Sequence, residues 1–210
     1  MKNITEYKVI LWDFDGVIMD SMPIRSLGFK KVLQHYPAEQ LAELLKFHQH
    51  NGGLSRYVKF RYFFEKIRNE PITEAQILAL ADQFSGIMLG LLFNKKLLIN
   101  DSVNFIKHNP KNQEMHIVSG SDGTELKQIC EALNLNSFFK TINGSPTPKK
   151  ELVKQIISSE DYTARDFVLI GDSINDWEAA QTNGIDFCGY NNPSLKSKKG
   201  LYIDIFQNIT

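Results

Sequence analysis

The chain has 210 residues, of which 42% are hydrophobic and 23% are charged, a composition typical of a folded globular protein. Lysine plus arginine and aspartate plus glutamate each number 24, so the formal net charge is zero. The chain as a whole therefore lacks the basic excess typical of proteins that bind nucleic acid or an anionic membrane, and we expect neither as a partner. This length allows one large domain or a domain with a sizeable insertion.

The cysteines and the N terminus indicate the cellular compartment of the protein. Cys130 lies in an apolar helical stripe and Cys188 in an apolar strand-like run, so both are expected to be buried free thiols. The first six residues lack the apolar core of a signal peptide, and no apolar run approaches membrane-spanning length. We therefore expect a cytoplasmic protein, with a monomer as the default oligomeric state.

The first predicted strand ends in two acidic residues. Residues 9–12 form an apolar run, and Asp13, Asp15 and Gly16 follow it. Strand packing does not call for two acids there, because an unpaired buried carboxylate is costly. The carboxylates would lie at the rim of a sheet and could share Mg²⁺, while one acid attacks and the other transfers protons. The alternative is a strand followed by an acidic turn.

An all-helical stretch follows, and then strands and helices alternate. Helices are predicted over residues 22–36, 38–48 and 54–68, and a fourth begins after Thr73, whose capping box includes Gln76. From about residue 100, strands are predicted at residues 115–118, 141–142, 167–170, 185–188 and 201–205, with helical stripes between them. This alternation indicates a parallel sheet covered by helices on both faces.

The sequence therefore predicts an α/β protein: a Rossmann-like three-layer sandwich with a parallel sheet, plus an inserted all-α cap domain. The core domain is assigned to residues 1–20 and 96–210, and the helical insert to residues 21–95. Because the helical insert interrupts the chain right after the first strand, it is expected to lie over the carboxyl ends of the strands.

Further polar groups follow other strands of the predicted sheet. Ser119 ends the second strand, Lys149 lies beyond the third, and Asp172 and Asp176 follow the fourth. Each has a structural alternative: a helix cap for Ser119, a solvated lysine for Lys149 or its neighbour Lys150, and helix N-terminal acids for the aspartates. Together they predict a phosphate site with Mg²⁺. In it, Ser119 and the backbone amides after it bind phosphoryl oxygens, and Lys149 offsets charge.

Four ordered motifs carry a resemblance that covers residues 8 to about 190. They are DFDGV (residues 13–17), IVSGS (117–121), GSPTPK (144–149) and GDSIND (171–176). In this order they resemble the motifs of the haloacid dehalogenase superfamily. The order is specific for fold and chemistry, but it says little about the substrate.

The resemblance implies a role for each motif residue. Asp13 would be the nucleophile that forms an aspartyl-phosphate, and Asp15 the general acid and then the base. Ser119, Gly120, Gly16 and Lys149 would surround the phosphoryl group. The metal ligands would be the Asp13 carboxylate, the Asp15 carbonyl and Asp172, with Asp176 as an acidic partner of the metal site.

Asp15 and the helical insert indicate which branch of the superfamily the chain resembles. Dehalogenating members lack an aspartate at the position of Asp15, which favours phosphoryl transfer here. The loop of residues 52–56 resembles the specificity loop of beta-phosphoglucomutase-like members. This resemblance makes Arg56 a candidate substrate ligand. The expected substrate is a small phosphorylated metabolite, such as a sugar phosphate. A phosphatase is favoured, a phosphomutase is the alternative, and a non-catalytic metabolite-binding module is a third reading.

Overall fold

A computed structural model describes residues 2–109 and 111–209 as a parallel sheet with helices on both faces and a group of helices at one edge. The sheet has six strands in the order β3-β2-β1-β4-β5-β6. The strands are β1 (Val9–Trp12), β2 (Glu114–Asp122), β3 (Thr141–Ser145), β4 (Phe167–Gly171), β5 (Asp186–Tyr190) and β6 (Leu201–Ile203). The α-helices are α1 (Met22–Val32), α2 (Ala38–His50), α3 (Arg56–Tyr62), α4 (Glu74–Leu92), α5 (Asn100–His108), α6 (Gly123–Ala132), α7 (Lys149–Ser159) and α8 (Ile174–Thr182).

The central strand β1 is buried on both faces, which explains its unbroken apolar sequence. Side chains alternate along a strand, so Val9 and Leu11 join the apolar cluster that contains α7 and α8. Ile10 and Trp12 join the other cluster, which contains α5 and α6. The predicted three-layer α/β fold is confirmed.

The helices α1 to α4 lie between β1 and β2 in the chain, as predicted for the helical insert. The two chain segments that connect the helical insert to the sheet run side by side: the Asp20 amide donates to the Leu97 carbonyl (2.8 Å) and the Ile99 amide to the Ile18 carbonyl (2.9 Å). This pairing fixes where the insert leaves the sheet. The exact boundaries at residues 20/21 and 95/96 stay a prediction.

The second strand is longer than its apolar run, and this removes the structural alternative of Ser119 as a helix cap. β2 continues to Asp122 because it pairs again with β3 after a register shift between Val118 and Asp122. Asp122 caps α6 instead, since its carboxylate accepts from the amides of Thr124 and Glu125, both at 3.0 Å. Ser119 is therefore free to serve the site at the sheet edge.

The helix α4 is the one segment among the described residues that is long and apolar enough, by length and composition, to cross a membrane. It has 19 residues and a mean hydropathy of 1.4 over its most apolar window. A core helix meets the same criterion, so this is weak evidence for a span. Residues Ile77, Ala81, Phe84, Met88 and Leu92 are buried on one face of the helix.

The contact between α1 and α4 generates a prediction about two helical glycines. A Cβ at Gly28 would lie 2.7 Å from the Phe84 ring, whereas a Cβ at Gly86 would meet nothing within 4 Å. Gly28→Ala should therefore lower the free energy of unfolding by about 1–3 kcal/mol through overpacking. Gly86→Ala should raise it by up to about 1 kcal/mol through helix propensity alone. Urea denaturation of both variants tests this, and two changes of the same sign would contradict it.

Candidate active site

The acidic and basic residues predicted at the strand ends meet at the carboxyl edge of the sheet. Asp13 follows β1, and its amide donates to the Ile170 carbonyl in the adjacent strand β4 (2.9 Å). Asp172 follows β4, while Asp176 lies in the first turn of α8 and Lys149 is the first residue of α7. Parallel strands present their carboxyl ends at one edge, which is where open α/β sheets bind ligands.

Three carboxylates lie together in this cluster, and Lys149 contacts two of them. Oxygen atoms of Asp13, Asp172 and Asp176 lie within 4.8 Å of one another. Lys149 Nζ lies 2.8 Å from Asp13 Oδ1 and also pairs with Asp176. Lys149 is buried and Lys150 is exposed, which decides between the two lysines in favour of Lys149.

The excess of negative charge disturbs the titration of these groups. Burial, reinforced by the charge of Asp176, raises the pKa of Asp13 to about 7. Burial and the charge of Asp13 also raise the pKa of Asp172 above its usual range. Burial alone would favour a neutral Lys149, but the two carboxylates that it contacts raise its pKa. A hard divalent cation with oxygen ligands would supply the missing positive charge, so Mg²⁺ fits the donor set.

Gly16 makes room for Asp172. The Gly16 backbone has φ +82°, and a Cβ there would overlap the Asp172 carboxylate. Two asparagines that the sequence patterns do not identify complete this corner: Asn191 Nδ2 donates to the Gly16 carbonyl (2.9 Å), and Asn192 Nδ2 donates to the Asp172 carbonyl (2.7 Å). A glycine is therefore needed at position 16, because any side chain there would displace the Asp172 carboxylate.

Asp176 is already bonded to protein donors. One carboxylate oxygen accepts from the Ser173 amide (3.0 Å) and hydroxyl (2.7 Å), and the other pairs with Lys149. This arrangement orients Lys149 between Asp13 and Asp176. Asp176 is also within reach of a cation shared with Asp13 and Asp172, so its part in a metal site stays a prediction.

Ser119 and Gly120 line the site from β2. Ser119 is 1% exposed, and its hydroxyl accepts from the Ser121 amide (3.1 Å). A Cβ at Gly120 would overlap the Gly53 carbonyl, so the loop before α3 lies directly on Gly120. The helical insert is therefore closed over the sheet edge, and Gly120 permits this contact.

Asp15 is held by groups that keep it ionised. Its carboxylate accepts from the hydroxyls of Ser21 and Ser121 and lies 3.0 Å from Arg25 Nε. Burial opposes ionisation, but the Arg25 guanidinium and these hydrogen bonds lower the pKa of Asp15 to about 2. A general acid must carry a proton, so the role implied for Asp15 requires a change in these contacts.

Arg56 is not the free substrate ligand that its loop position predicts. Its Nη2 lies 2.6 Å from Glu125 Oε2 and its Nη1 lies 2.6 Å from Ser85 Oγ. The guanidinium also stacks over the Phe84 ring at 4.6 Å. Arg25 pairs with the other oxygen of Glu125, so the buried Glu125 joins two arginines of the helical insert to α6. Arg56 also lines a cavity beside Asp15, so its role as a substrate ligand stays a prediction, for a cation that is already paired with Glu125.

A small cavity of about 20 Å³ remains between Asp15 and the helical insert. Its wall includes Arg25, Arg56, Lys59 and His48. His48 is 2% exposed, and burial lowers its pKa to about 3. Lys59 Nζ donates to the Gly52 carbonyl (3.1 Å), and burial lowers its pKa to about 7.

Sequence patterns missed most of the residues around this cavity. Ser121 was recoverable, because it belongs to the same motif as Ser119. Arg25, His48 and Glu125 lie on helices, where charged residues usually face solvent, so no local signal marks them. Their burial is fixed only when α1, α2, α3 and α6 pack together.

The comparisons with known proteins agree with this geometry. The family model described as haloacid dehalogenase-like hydrolase matches residues 10–190. A phosphoglycolate phosphatase of Pasteurella multocida is 21% identical over 221 residues, covering 98% of each chain. The structure of beta-phosphoglucomutase from Clostridium difficile has a TM-score of 0.78 at 13% identity, covering 97% of this chain and 93% of that one. The magnesium-bound hydrolase YfnB of Bacillus subtilis has a TM-score of 0.71 at 20% identity, covering 96% of each.

The chain belongs to the haloacid dehalogenase-like hydrolase family, because the family model spans most of its length. The resemblance inferred from the four motifs is thus confirmed. With these motifs assembled at one sheet edge and a phosphatase among its full-length relatives, the chain is a phosphoric monoester hydrolase of this superfamily.

The contact between Gly16 and Asp172 generates a prediction with a matched control. Gly16 and Gly184 both have positive φ, but a Cβ at Gly184 would meet nothing within 4 Å. Either substitution by alanine should cost about 1–2 kcal/mol of stability from backbone strain. Only Gly16→Ala should also displace Asp172 and weaken Mg²⁺ binding at least about tenfold. Calorimetric titration with Mg²⁺ checks this, and equal Mg²⁺ affinities in the two variants would contradict it.

Proposed function

We propose that the protein is a Mg²⁺-dependent phosphatase that hydrolyses a small phosphorylated metabolite through an aspartyl-phosphate on Asp13. The proposal rests above all on one observation: the buried cluster of Asp13, Asp172 and Asp176 with a single lysine at the carboxyl edge of the sheet. The residues 21–95 would act as a cap domain over this site, and the default state is a monomer.

The metal would be held by the Asp13 carboxylate, the Asp15 backbone carbonyl and the Asp172 carboxylate. When bound, Mg²⁺ supplies positive charge that polarises a phosphoryl oxygen and offsets repulsion between two anions. Lys149 would also supply positive charge that offsets this repulsion, because its ammonium lies 2.8 Å from Asp13 Oδ1. Both effects keep Asp13 ionised against the burial that raises its pKa to about 7.

The reaction would proceed in two steps on this chain's own groups. An Asp13 oxygen attacks phosphorus, the bond to the leaving oxygen breaks, and Asp15 gives its proton to that oxygen. Asp15 then takes a proton from a water that attacks the phosphoryl group, and Asp13 is regenerated. The Ser119 hydroxyl and the amide that follows it hold the phosphoryl oxygens in line.

Protonation of Asp15 would be controlled by the helical insert. Arg25 belongs to α1 and holds the Asp15 carboxylate in the closed arrangement, with a pKa of about 2. Opening of the insert would withdraw Arg25 and let Asp15 gain a proton before substrate enters. The YfnB structure, which is described as showing interdomain movement, provides an example of such motion in a similar fold.

The cavity beside Asp15 favours a small anionic leaving group. Three cations, Arg25, Arg56 and Lys59, surround it. Asp15 and Glu125 neutralise the two arginines, whereas Lys59 forms no ion pair within residues 2–109 and 111–209. The cavity measures only about 20 Å³, so a short carboxylate would need less opening of the insert than a hexose. A phosphorylated short-chain acid such as phosphoglycolate is therefore our first candidate, ahead of the sugar phosphate expected from Arg56.

A phosphomutase is the second candidate, and the likeness to beta-phosphoglucomutase favours it. A mutase must hold a second phosphate away from Asp13 and protect its aspartyl-phosphate from water. Within the described residues, Lys59 is the one cation of the cavity left to bind that second phosphate, since both arginines are paired. This favours hydrolysis.

A phosphate-release assay tests the proposed function. We expect hydrolysis of phosphoglycolate above sugar phosphates and hexose bisphosphates, with activity lost in EDTA and restored by Mg²⁺. Asp13→Asn should lower kcat by orders of magnitude while the far-ultraviolet circular dichroism is unchanged. Phosphate exchange between hexose positions without release would indicate the mutase, and full activity of Asp13→Asn would exclude the mechanism.

The pKa of Lys59 gives a prediction about pH. Because burial lowers this pKa to about 7, the ammonium that would bind a carboxylate is fully present below pH 7 and is lost as pH rises. The kcat/KM for phosphoglycolate, divided by that for p-nitrophenyl phosphate, should therefore fall between pH 6 and 8. Lys59→Met should flatten this profile and lower the ratio at pH 6 by about ten- to a hundredfold.

The matched control is Lys66→Met, since Lys66 is an exposed lysine of the same helical insert. This variant should leave the ratio and its pH dependence unchanged. A Lys59→Met ratio equal to that of the wild type at every pH would show that the leaving group does not contact Lys59.

A further inference from the structure

A second group of potential metal ligands lies at the opposite end of the sheet. Glu114 and His116 are in β2 and pair with Val9 and Leu11 of β1, whereas Asp13 lies beyond the other end of β1. Glu160 directly follows α7. Ligand atoms of Glu114, His116 and Glu160 lie within 4.8 Å of one another. The catalytic scheme uses none of these residues.

His116 points a nitrogen into this group without a hydrogen-bond partner. The residue is fully buried, and Nε2 accepts or donates no hydrogen bond among the described residues. Nε2 lies 3.8 Å from Glu160 Oε1, too far for a hydrogen bond. The other ring nitrogen, Nδ1, is 2.8 Å from Thr141 Oγ1, which also accepts from Asn143 Nδ2 (2.6 Å). A histidine held through one nitrogen by an oxygen is the usual arrangement of a metal ligand.

The carboxylates show that a cation is favourable at this point. Lys140 Nζ lies 2.7 Å from an oxygen of Glu114 and 2.7 Å from one of Glu160. The Lys140 side chain is 50% exposed, so it can turn into solvent without disrupting the core. Tyr162 donates to the other Glu114 oxygen (3.1 Å), which fixes that carboxylate. Lys140 therefore holds the carboxylates together but leaves His116 Nε2 unpaired.

We propose that Glu114, His116 and Glu160 form a divalent-metal site for Zn²⁺, with Lys140 displaced when the metal binds. One imidazole nitrogen and two carboxylates suit Zn²⁺ better than Mg²⁺, and water would be the fourth ligand. Tetrahedral ligands at about 2.0–2.1 Å from the metal are about 3.4 Å apart, so shifts of roughly an ångström assemble the site. The metal would connect β2 to the segment after α7 and stabilise the amino end of the sheet.

Calorimetric titration of the metal-free full-length chain with Zn²⁺ tests the proposal. The variant Asp13→Asn/Asp172→Asn removes the competing carboxylates of the active site and should still bind one equivalent of Zn²⁺. In that background, Glu160→Gln should weaken binding at least about tenfold, since it removes a ligand. Glu131→Gln, at an exposed glutamate of α6, is the matched control and should have no effect. Binding at a hundredfold excess over Kd should raise Tm by about 5–10 °C.

Lys140→Met separates a metal site from an ion-pair network and does not depend on the stability of the Glu160 variant. If Lys140 competes with the metal, the variant should be less stable in EDTA but should bind Zn²⁺ several-fold more tightly. Co²⁺ should give a visible spectrum that reports nitrogen coordination in the same background. Absence of Zn²⁺ binding in Asp13→Asn/Asp172→Asn, no effect of Glu160→Gln, or unchanged or weaker Zn²⁺ binding in Lys140→Met would overturn the proposal.

Discussion

The closed arrangement of the molecule depends on one buried carboxylate, that of Glu125. It lies in the sheet domain, and both of its oxygens pair with arginines of the helical insert, Arg25 and Arg56. Two positive charges and one negative charge would be unfavourable in a buried site, because an uncompensated charge there costs several kcal/mol. Asp15 supplies the missing negative charge through Arg25. Asp15, a residue of the reaction centre, thus completes the charge balance of the contact between the insert and the sheet domain.

This sharing of charge connects the position of the insert to the chemistry proposed for Asp15. A carboxylate in contact with a guanidinium and two hydroxyls stays ionised, and it cannot give a proton to a leaving group. Opening of the insert would separate Arg25 from both Asp15 and Glu125, which lie in the sheet domain. The two states of the insert would then differ in the proton affinity of Asp15. A conformational equilibrium and a protonation equilibrium would become one coupled process.

The sequence predicts the reaction centre better than its surroundings, for a physical reason. Asp13, Ser119, Lys149 and Asp172 follow apolar strands of a parallel sheet, and that topology alone brings strand ends together. The sequence does not predict the pairing of Arg56, because a glycine-rich loop followed by a basic residue describes where a side chain starts, not what it meets. Glu125, on a helix 69 positions later in the chain, is what holds it.

The same reasoning explains why Arg25 and His48 were missed. Both are polar residues on helices, where exposure is the usual outcome. Their burial results from tertiary packing of the insert against Asp15 and Gly120, which periodicity does not encode. The longer extent of β2 was missed similarly, since Ser119 to Asp122 resemble a loop in composition but pair with β3 across a register shift.

The two halves of the site carry opposite charge, and this constrains any substrate. The half proposed to bind the phosphoryl group holds three carboxylates and Lys149, so we expect it to accept a phosphate dianion only together with a divalent cation. The half proposed to hold the leaving group has a net positive charge when Lys59 is protonated, because Asp15 and Glu125 pair with the two arginines and Lys59 forms no ion pair among the residues that the structure describes. If the leaving group were neutral, the Lys59 ammonium would stay buried without a counter-ion. Burial of an unpaired ammonium is unfavourable, and the same effect lowers the pKa of Lys59. A leaving group with one negative charge removes this cost, and binding it would favour the closed insert.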